Sequence, residues 1–577
     1  MKIFFNSMLG TLAGIVIIVL VVGGTAAVMA NKKEPIEDGS WLVVELHGDI
    51  PEYDPPGGIM STIVGEKGET VTRVLENMRK ARFDDRIAGV ILKVGVEHSV
   101  GAGATQEIRA AVKRLQQSGK KVYGWAESFD ARDYYILAAC DEVFAPETAY
   151  ISFTGISTNA IYVKNALDKL GISANIHKIK DYKSAAEMVM RADMSDPARE
   201  NREWIVSDLW TFMMRDLQAD RALDEARVVE LMQHAIFTAP QAKKDGLIDE
   251  LMYWDDLEEK LKAEDDDKLL TVSQSRYAEV ETKKLDLDGD KTIAIIHAQG
   301  TIAGRKNGVN PLLGMTMGHE TIVEELRRAR EDEDVAAIIF RVDSGGGDAL
   351  GSDLMGHEVE ITTAVKPVVV SMVDVAASGG YHIAYRASRI LADEGTITGS
   401  IGSISGKFNM AGLYDKLGIT WDDSVSMGPM ARIDSDLRDY TPKERARFEE
   451  NHWQGFNDWL RDVSEHRGMS FEEAELLAHG RVWTGRQALD NGLIDEIGDL
   501  DRAIAVAKEL AEVDAEEQVT VMHLPAKQGL LESLLGGEES AAAIAARWAV
   551  YRELRKTGGE TLQLLQARPD LLPVLAP

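Results

Sequence analysis

The chain holds almost no cysteine and no excess of positive charge. Cys140 is the one thiol in 577 residues, which excludes an intrachain disulfide and a cysteine-rich metal site and leaves Cys140 as a small, buried apolar residue. Lys and Arg number 64 against 95 Asp and Glu, a formal charge of −31. A surface of that sign repels polyanions at long range, so nonspecific nucleic-acid binding is not expected. The densest acidic cluster, Asp265-Asp266-Asp267, lacks the ordered alternation of ligands that a calcium loop requires. Neither a metal nor a cofactor is expected.

What is present begins with an uncharged run from Met8 to Ala30. At about 1.5 Å rise per residue a helix of that length crosses a hydrocarbon core of roughly 30 Å. The expectation is an uncleaved membrane anchor. A cleaved secretory signal is the rival, because Lys2 precedes the run and Ala27-Val28-Met29-Ala30 offers small residues for cleavage. Lys32 and Lys33 balance Lys2, so charge marks the orientation only weakly.

The rest of the chain is too long for one core, and it contains a duplication. Lys169-Leu170-Gly171-Ile172 recurs as Lys416-Leu417-Gly418-Ile419, and Gly246-Leu247-Ile248-Asp249-Glu250 as Gly492-Leu493-Ile494-Asp495-Glu496, at offsets of 416 − 169 = 247 and 492 − 246 = 246. In the second copy, apolar strands at 292–300, 335–342 and 367–373 alternate with helices at 320–330 and 350–363. The first copy follows with 41–48, 87–94, 106–117 and 121–125. Strands apolar throughout, alternating with helices, indicate an α/β fold with a parallel sheet covered on both faces. The expected organisation is an anchor and connector (1–39), a first repeat (40–254), a charged, solvated linker (255–290), a second repeat (291–515) and a helical tail (516–577).

Three glycine-punctuated loops of the second copy follow expected strands, where ligands bind in such sheets. They are Asp343-Ser344-Gly345-Gly346-Gly347-Asp348, Ala376-Ala377-Ser378-Gly379-Gly380-Tyr381 and Thr398-Gly399-Ser400-Ile401-Gly402-Ser403. Glycines let a peptide carbonyl approach backbone N–H groups, and a serine entering a helix sets its hydroxyl beside them. Taken alone, the glycine run also suits a tight turn or a phosphate nest. The first copy discriminates between these readings. At matching positions Ser378-Gly379-Gly380 becomes Ala131-Arg132-Asp133 and Ser400 becomes Phe153, whereas Tyr381, Ile383 and Gly402 keep Tyr134, Ile136 and Gly155. Conversely, Lys183 of the first copy falls on Met430 of the second. One copy keeps a serine and the other a lysine, so neither is complete alone.

The two copies, the AASGGY and TGSIG motifs, the DYKSA segment around Lys183 and the apolar N-terminus resemble the long, tandem-repeat form of signal peptide peptidase A (protease IV). The resemblance covers roughly residues 40–515. It implies two tandem ClpP/crotonase-like domains built of repeated ββα units, and a serine endopeptidase with Ser378 as nucleophile and Lys183 as base. It further implies that Ser400 hydrogen-bonds the lysine and that the amides of Gly347 and Gly379 are the oxyanion donors. Apolar peptides, cleaved signal peptides among them, are the implied substrates. A homotetramer and an inner-membrane anchor with the catalytic part in the periplasm of a bacterium are also implied. Relatives carry Asn-Ser-Pro-Gly-Gly where this chain has Asp343-Ser344-Gly345-Gly346-Gly347. Loss of the proline is expected to loosen that loop without abolishing activity.

An ordinary lysine, with pKa near ~10.4, is protonated at neutral pH, so the site must lower it, and burial is the expected lever. His382, one helical turn after Ser378, is a rival base but has poor geometry for the attacking oxygen. Lys407 is a rival amine in a polar, solvated stretch. The alternatives to a peptidase are a noncatalytic membrane scaffold, which has no reason to keep both halves of a dyad, and acyl-CoA chemistry, which leaves the serine–lysine pairing unexplained.

Overall fold

The computed structural model describes residues 35–54, 69–95, 98–263, 267–310 and 313–526. The apolar run at 8–30, the acidic pair Asp265-Asp266 and the chain beyond 526 lie outside the described residues.

The first repeat is built on a six-stranded parallel sheet, and six parallel strands of the second repeat's eight-stranded sheet share its strand order. In the first the order is Thr271–Ser273, Ser40–Leu46, Ile87–Val94, Lys121–Trp125, Glu142–Ala145, Glu250–Leu251. In the second it is Val519–Leu524, Lys291–Gln299, Val335–Ser344, Val368–Ala377, Arg389–Ala392, Glu496–Ile497. Their sequences are rich in Val and Ile because helices cover both faces: Leu42, Val44, Val90, Ile338, Phe340 and Val370 are fully buried. The ββα pattern is visible in Lys121–Trp125, Ser128–Asp130 and the helix Ala131–Leu137. A smaller layer crosses the end of each main sheet. It comprises Ser128–Asp130, Tyr150–Phe153 and Ala235–Thr238 in the first repeat, and the end of Val368–Ala377, Ile397–Gly399 and Val482–Thr484 in the second.

Two expectations need correction. The segment 255–290 is not only a solvated linker: Thr271–Ser273 adds the edge strand to the first sheet, and Tyr277 is fully buried with its hydroxyl donating to Asp84 at 3.0 Å. Likewise Val519–Leu524, expected at the start of a helical tail, is a parallel strand beside Lys291–Gln299. Both are short pieces in polar surroundings whose pairing comes from distant strands, so local pattern did not mark them.

The repeats are locked together by polar groups taken out of water. Arg341, fully buried in a central strand of the second sheet, donates from Nε to Glu52 at 2.7 Å, from both terminal nitrogens to Glu107 at 2.6 Å, and to Ser371 Oγ at 2.8 Å. Glu107 lies on the first repeat's helix Ala102–Gln117. At the start of that helix the Gly101 and Ala104 amides donate to Asp374 of the second repeat at 3.2 and 2.9 Å. Further along, Arg114 meets Asp499 and Asp501 at 2.5 and 2.9 Å. The repeats also exchange backbone bonds, because Ser173–Lys178 of the first pairs antiparallel with Ile404–Asn409 of the second.

Removing Arg341 leaves Glu52 and Glu107 buried without their cation. Arg341→Ala is expected to lower stability by about 3–5 kcal/mol, read from urea unfolding, and a loss below about 1 kcal/mol would show that the network is dispensable.

Candidate active site

The cross-repeat strand pair delivers the lysine. Lys178 pairs with Ile404 at its end, and the next residue, Ile179, donates its amide to Ser403 O at 2.9 Å. The chain then turns, with Lys180 at φ +66°, and places Lys183 before the short 3-10 helix Ser184–Ala186. Glu187 braces this turn. It accepts from Lys178 Nζ at 2.9 Å and from the Ser195 hydroxyl at 2.6 Å. Burial pushes the Glu187 carboxyl up, but these donors outweigh it and hold the group below its usual range.

Lys183 is 3% exposed. Its ammonium nitrogen donates to Ser400 Oγ at 2.8 Å and to Ser400 O at 2.9 Å. Ser400 sits at φ +52°, held by its amide on Arg481 O at 2.6 Å. Gly480 passes so close to the Lys183 backbone that a side chain there would overlap it. Ser378 is tied to the loop that carries Ser400. It occupies the sharp junction between Val368–Ala377 and the helical turn Gly379–His382, at φ +56° and ψ −117°, with its amide on Gly399 O at 2.9 Å. A non-glycine residue in such a conformation persists only where its surroundings over-determine it, and such strain concentrates at functional sites.

The glycine loop lies against this junction. A Cβ at Gly346 would collide with the Gly379 amide nitrogen, and one at Gly379 would stand 3.1 Å from the Gly347 nitrogen, so the Gly347 and Gly379 amides are neighbours. The loop is tied by Ser344, whose buried hydroxyl donates to Gly300 O at 2.6 Å and accepts from the Gly346 amide at 3.1 Å. Within one chain Gly347 and Gly379 thus lie beside Ser378, Ser378 is bonded to the residue before Ser400, and Lys183 is bonded to Ser400.

The alternatives sit elsewhere. His382 stacks face to face on Trp459 with ring centres 4.9 Å apart and points toward Asp353; burial lowers its pKa. Lys407 is not solvated as expected. Its ammonium donates to the Ile433 and Ser435 carbonyls at 2.8 and 2.6 Å and lies over the Tyr440 ring. Cys140 is buried, which pushes its thiol up to about 12 and removes it as a nucleophile. In the first repeat the equivalent space is filled: Phe153 is fully buried and packs edge-on against Tyr134 at 5.3 Å. Sequence reasoning missed Gly480, Arg481 and Ser344, because their roles arise from close approach to chain far away in sequence. Only Ser344 carried a signal, its place inside the glycine loop.

A profile of Peptidase family S49 matches the chain twice, over residues 114–268 and 360–514, with the two matches falling one in each repeat. The chain belongs to this family. It is 34% identical to "Serine protease SPPA, chloroplastic" of Arabidopsis thaliana over 508 residues, covering 87% of this chain and 74% of that protein. It is 30% identical to "Protease 4" of Haemophilus influenzae over 456 residues, 75% of this chain and 72% of that one, and 30% identical to "Protease 4" of Salmonella typhi, over 76% and 72%. Among solved structures, ClpP1 N165D mutant from Listeria monocytogenes superposes on 39% of the chain with a TM-score of 0.24 and 16% identity. This S49 member is a serine peptidase of two tandem α/β domains.

Gly480→Ala, which forces a Cβ into the Lys183 backbone at φ +80°, is expected to leave the protein folded by circular dichroism yet slow peptide hydrolysis by about 10²-fold, the scale of an ångström-sized misplacement. Unchanged turnover would separate Gly480 from the site.

Proposed function

We propose that this peptidase is a membrane-anchored endopeptidase working through a Ser378/Lys183 dyad. The observation that carries the reading is the buried Lys183 ammonium on Ser400 Oγ at 2.8 Å, one residue from the carbonyl that fixes the Ser378 amide. Burial disfavours the charged ammonium, and neutral Lys183 then accepts the Ser378 proton while Oγ bonds to the scissile carbonyl carbon. The carbonyl oxygen takes negative charge and is met by the Gly347 and Gly379 amides. As the tetrahedral species collapses, the carbon–nitrogen bond breaks and Lys183 returns the proton to the leaving amine. Water then gives a proton to Lys183 and attacks the ester carbon, and as the carbon–Oγ bond breaks Lys183 passes that proton to the Ser378 oxygen, freeing the acid and restoring the hydroxyl and the neutral amine. Ser400 orients the amine throughout and touches no substrate.

Apolar peptides, signal peptides released by cleavage among them, are the substrate class. Leu350 and Leu354, 66% and 40% exposed on the first turns of the helix after the glycine loop, support this by offering an apolar border. The run at 8–30 serves as anchor, with the catalytic part on the periplasmic side of a bacterial inner membrane, and the working assembly is a homotetramer.

Ser378→Ala and Lys183→Ala are each expected to cut hydrolysis of an apolar fluorogenic peptide by about 10³-fold or more, and Ser400→Ala by about 10²-fold. Because the base works only when neutral, kcat/KM should rise with pH to a plateau, and Ser400→Ala should displace that rising limb. Near-normal rates in Lys183→Ala would remove the dyad, while an inactive parent chain would favour a scaffold.

A further inference from the structure

The residue after Gly480 brings a second positive charge to the surroundings of Lys183. Arg481 is bound into the site by its backbone: its carbonyl accepts the Ser400 amide at 2.6 Å, and Gly480 before it donates to Ile401 O at 2.8 Å. Val482 after it is bracketed by Asn201 of the first repeat, whose side chain donates to Val482 O at 2.9 Å and accepts the Val482 amide at 3.0 Å. The Arg481 side chain takes no part in those bonds. It turns toward Tyr182, the residue before Lys183, with the guanidinium carbon 4.0 Å from the Tyr182 ring centre, 5.8 Å from that of Trp204 and 6.0 Å from that of Trp483. Trp204 and Trp483 pack edge to face at 4.9 Å and complete the cage. Ring faces hold a cation without neutralising it. Among the described residues no carboxylate pairs with Arg481, and its buried Nε has no hydrogen-bond partner.

We infer that this uncompensated guanidinium helps keep the Lys183 amine neutral, which makes Arg481 a positioning residue that acts on the dyad through charge. The inference rests on the reading of Lys183 as the base. Burial disfavours the ammonium, and a like charge nearby disfavours it further. The other charges around the lysine are matched or screened. Lys178 meets Glu187 at 2.9 Å, Lys180 meets Glu475 of the helix Phe471–Leu477 at 3.1 Å, and Arg191 meets Asp193 at 2.9 Å. On the helix Asp196–Arg221, Arg202 donates to Asn159 O and Asp208 is taken by Arg486. Asp181, Asp196, Arg199, Glu203 and Glu200, the acceptor of the Tyr182 hydroxyl, are exposed, where water weakens their fields. His479, His177 and His452 are held below their usual range, chiefly by burial, and add no charge at neutral pH.

Arginine suits this place. Its guanidinium stays charged throughout the pH range of the reaction, whereas a histidine there would lose its charge where the base must work. The two cations also sit on opposite repeats, so the influence of Arg481 on the base exists only when the repeats are joined.

The test uses the full chain in detergent, an apolar fluorogenic peptide and kcat/KM measured against pH. Arg481→Met keeps the reach of the side chain and removes its charge. It is expected to move the rising limb up by about 0.5–1 pH unit, lowering kcat/KM on the limb about 3–10-fold while the plateau is kept. Arg481→Lys, which keeps the charge and loses the planar stack, should leave the limb near its wild-type position. Trp204→Glu sets a carboxylate beside an intact Arg481 and should move the limb as Arg481→Met does, so the inference stays readable where one variant fails to fold by circular dichroism. A limb that stays in place in Arg481→Met, or moves equally in Arg481→Met and Arg481→Lys, overturns the role of charge. A raised KM with an unmoved limb would make Arg481 a substrate contact instead. Lys183→Ala keeps the two readings apart: near-normal rates there remove the base itself, whereas an inactive Lys183→Ala beside an unmoved Arg481→Met limb removes only the role of Arg481.

Discussion

The site depends on one backbone constraint, the antiparallel pairing of Ser173–Lys178 with Ile404–Asn409. It joins the repeats in register, so a one-residue slip would turn every side chain to the wrong face. Ile179 bonded to Ser403 extends the ladder, and a few residues later the chain delivers Lys183 under Ser400. A lysine with a long, flexible stem is a poor anchor for precise geometry. Here its backbone is fixed first, by this pairing, by Gly480 and by the brace at Glu187, and its amine is fixed last.

Beneath that junction the repeats meet through charge rather than through apolar area alone. Arg341 with Glu52 and Glu107, and Asp374 with the helix start at Gly101 and Ala104, are geometrically demanding contacts. Removing charges from water is costly, and a buried pair breaks even only with full hydrogen bonding. Such groups specify one arrangement of two domains that a greasy interface would leave free to slide. Arg341 and Ser371 lie on the strands that lead to the glycine loop and to Ser378. The strained Ser378 junction is thus carried on elements that are themselves pinned.

Much of this was legible in the sequence. The strands at Ile87–Val94 and Lys121–Trp125 follow from mostly apolar runs, interrupted by Lys93 in the first and opened by Lys121 in the second, and the offset between copies pointed to Ser378, Lys183 and Ser400 by showing Ala131, Met430 and Phe153 in their places. The edge strands Thr271–Ser273 and Val519–Leu524 were not legible, because short strands take their stability from a neighbour rather than from their own pattern. Nor was the pairing of Ser173–Lys178, whose sequence SANIHK lacks a clean alternation. Arg341 was in plain view inside an otherwise apolar strand, yet its partners lie in the other repeat and nothing local names them.

On the proposed dyad, duplication followed by complementary loss gives this S49 peptidase a site that needs both repeats and only one chain. That claim is tested most directly by mixing Lys183→Ala chains with Ser378→Ala chains, allowing subunits to exchange, and assaying peptide hydrolysis. With Lys183 and Ser400 meeting inside each chain, the mixture should stay as inactive as either parent. Recovery of a substantial fraction of wild-type turnover would mean that the serine and the lysine meet between chains, and would contradict the account.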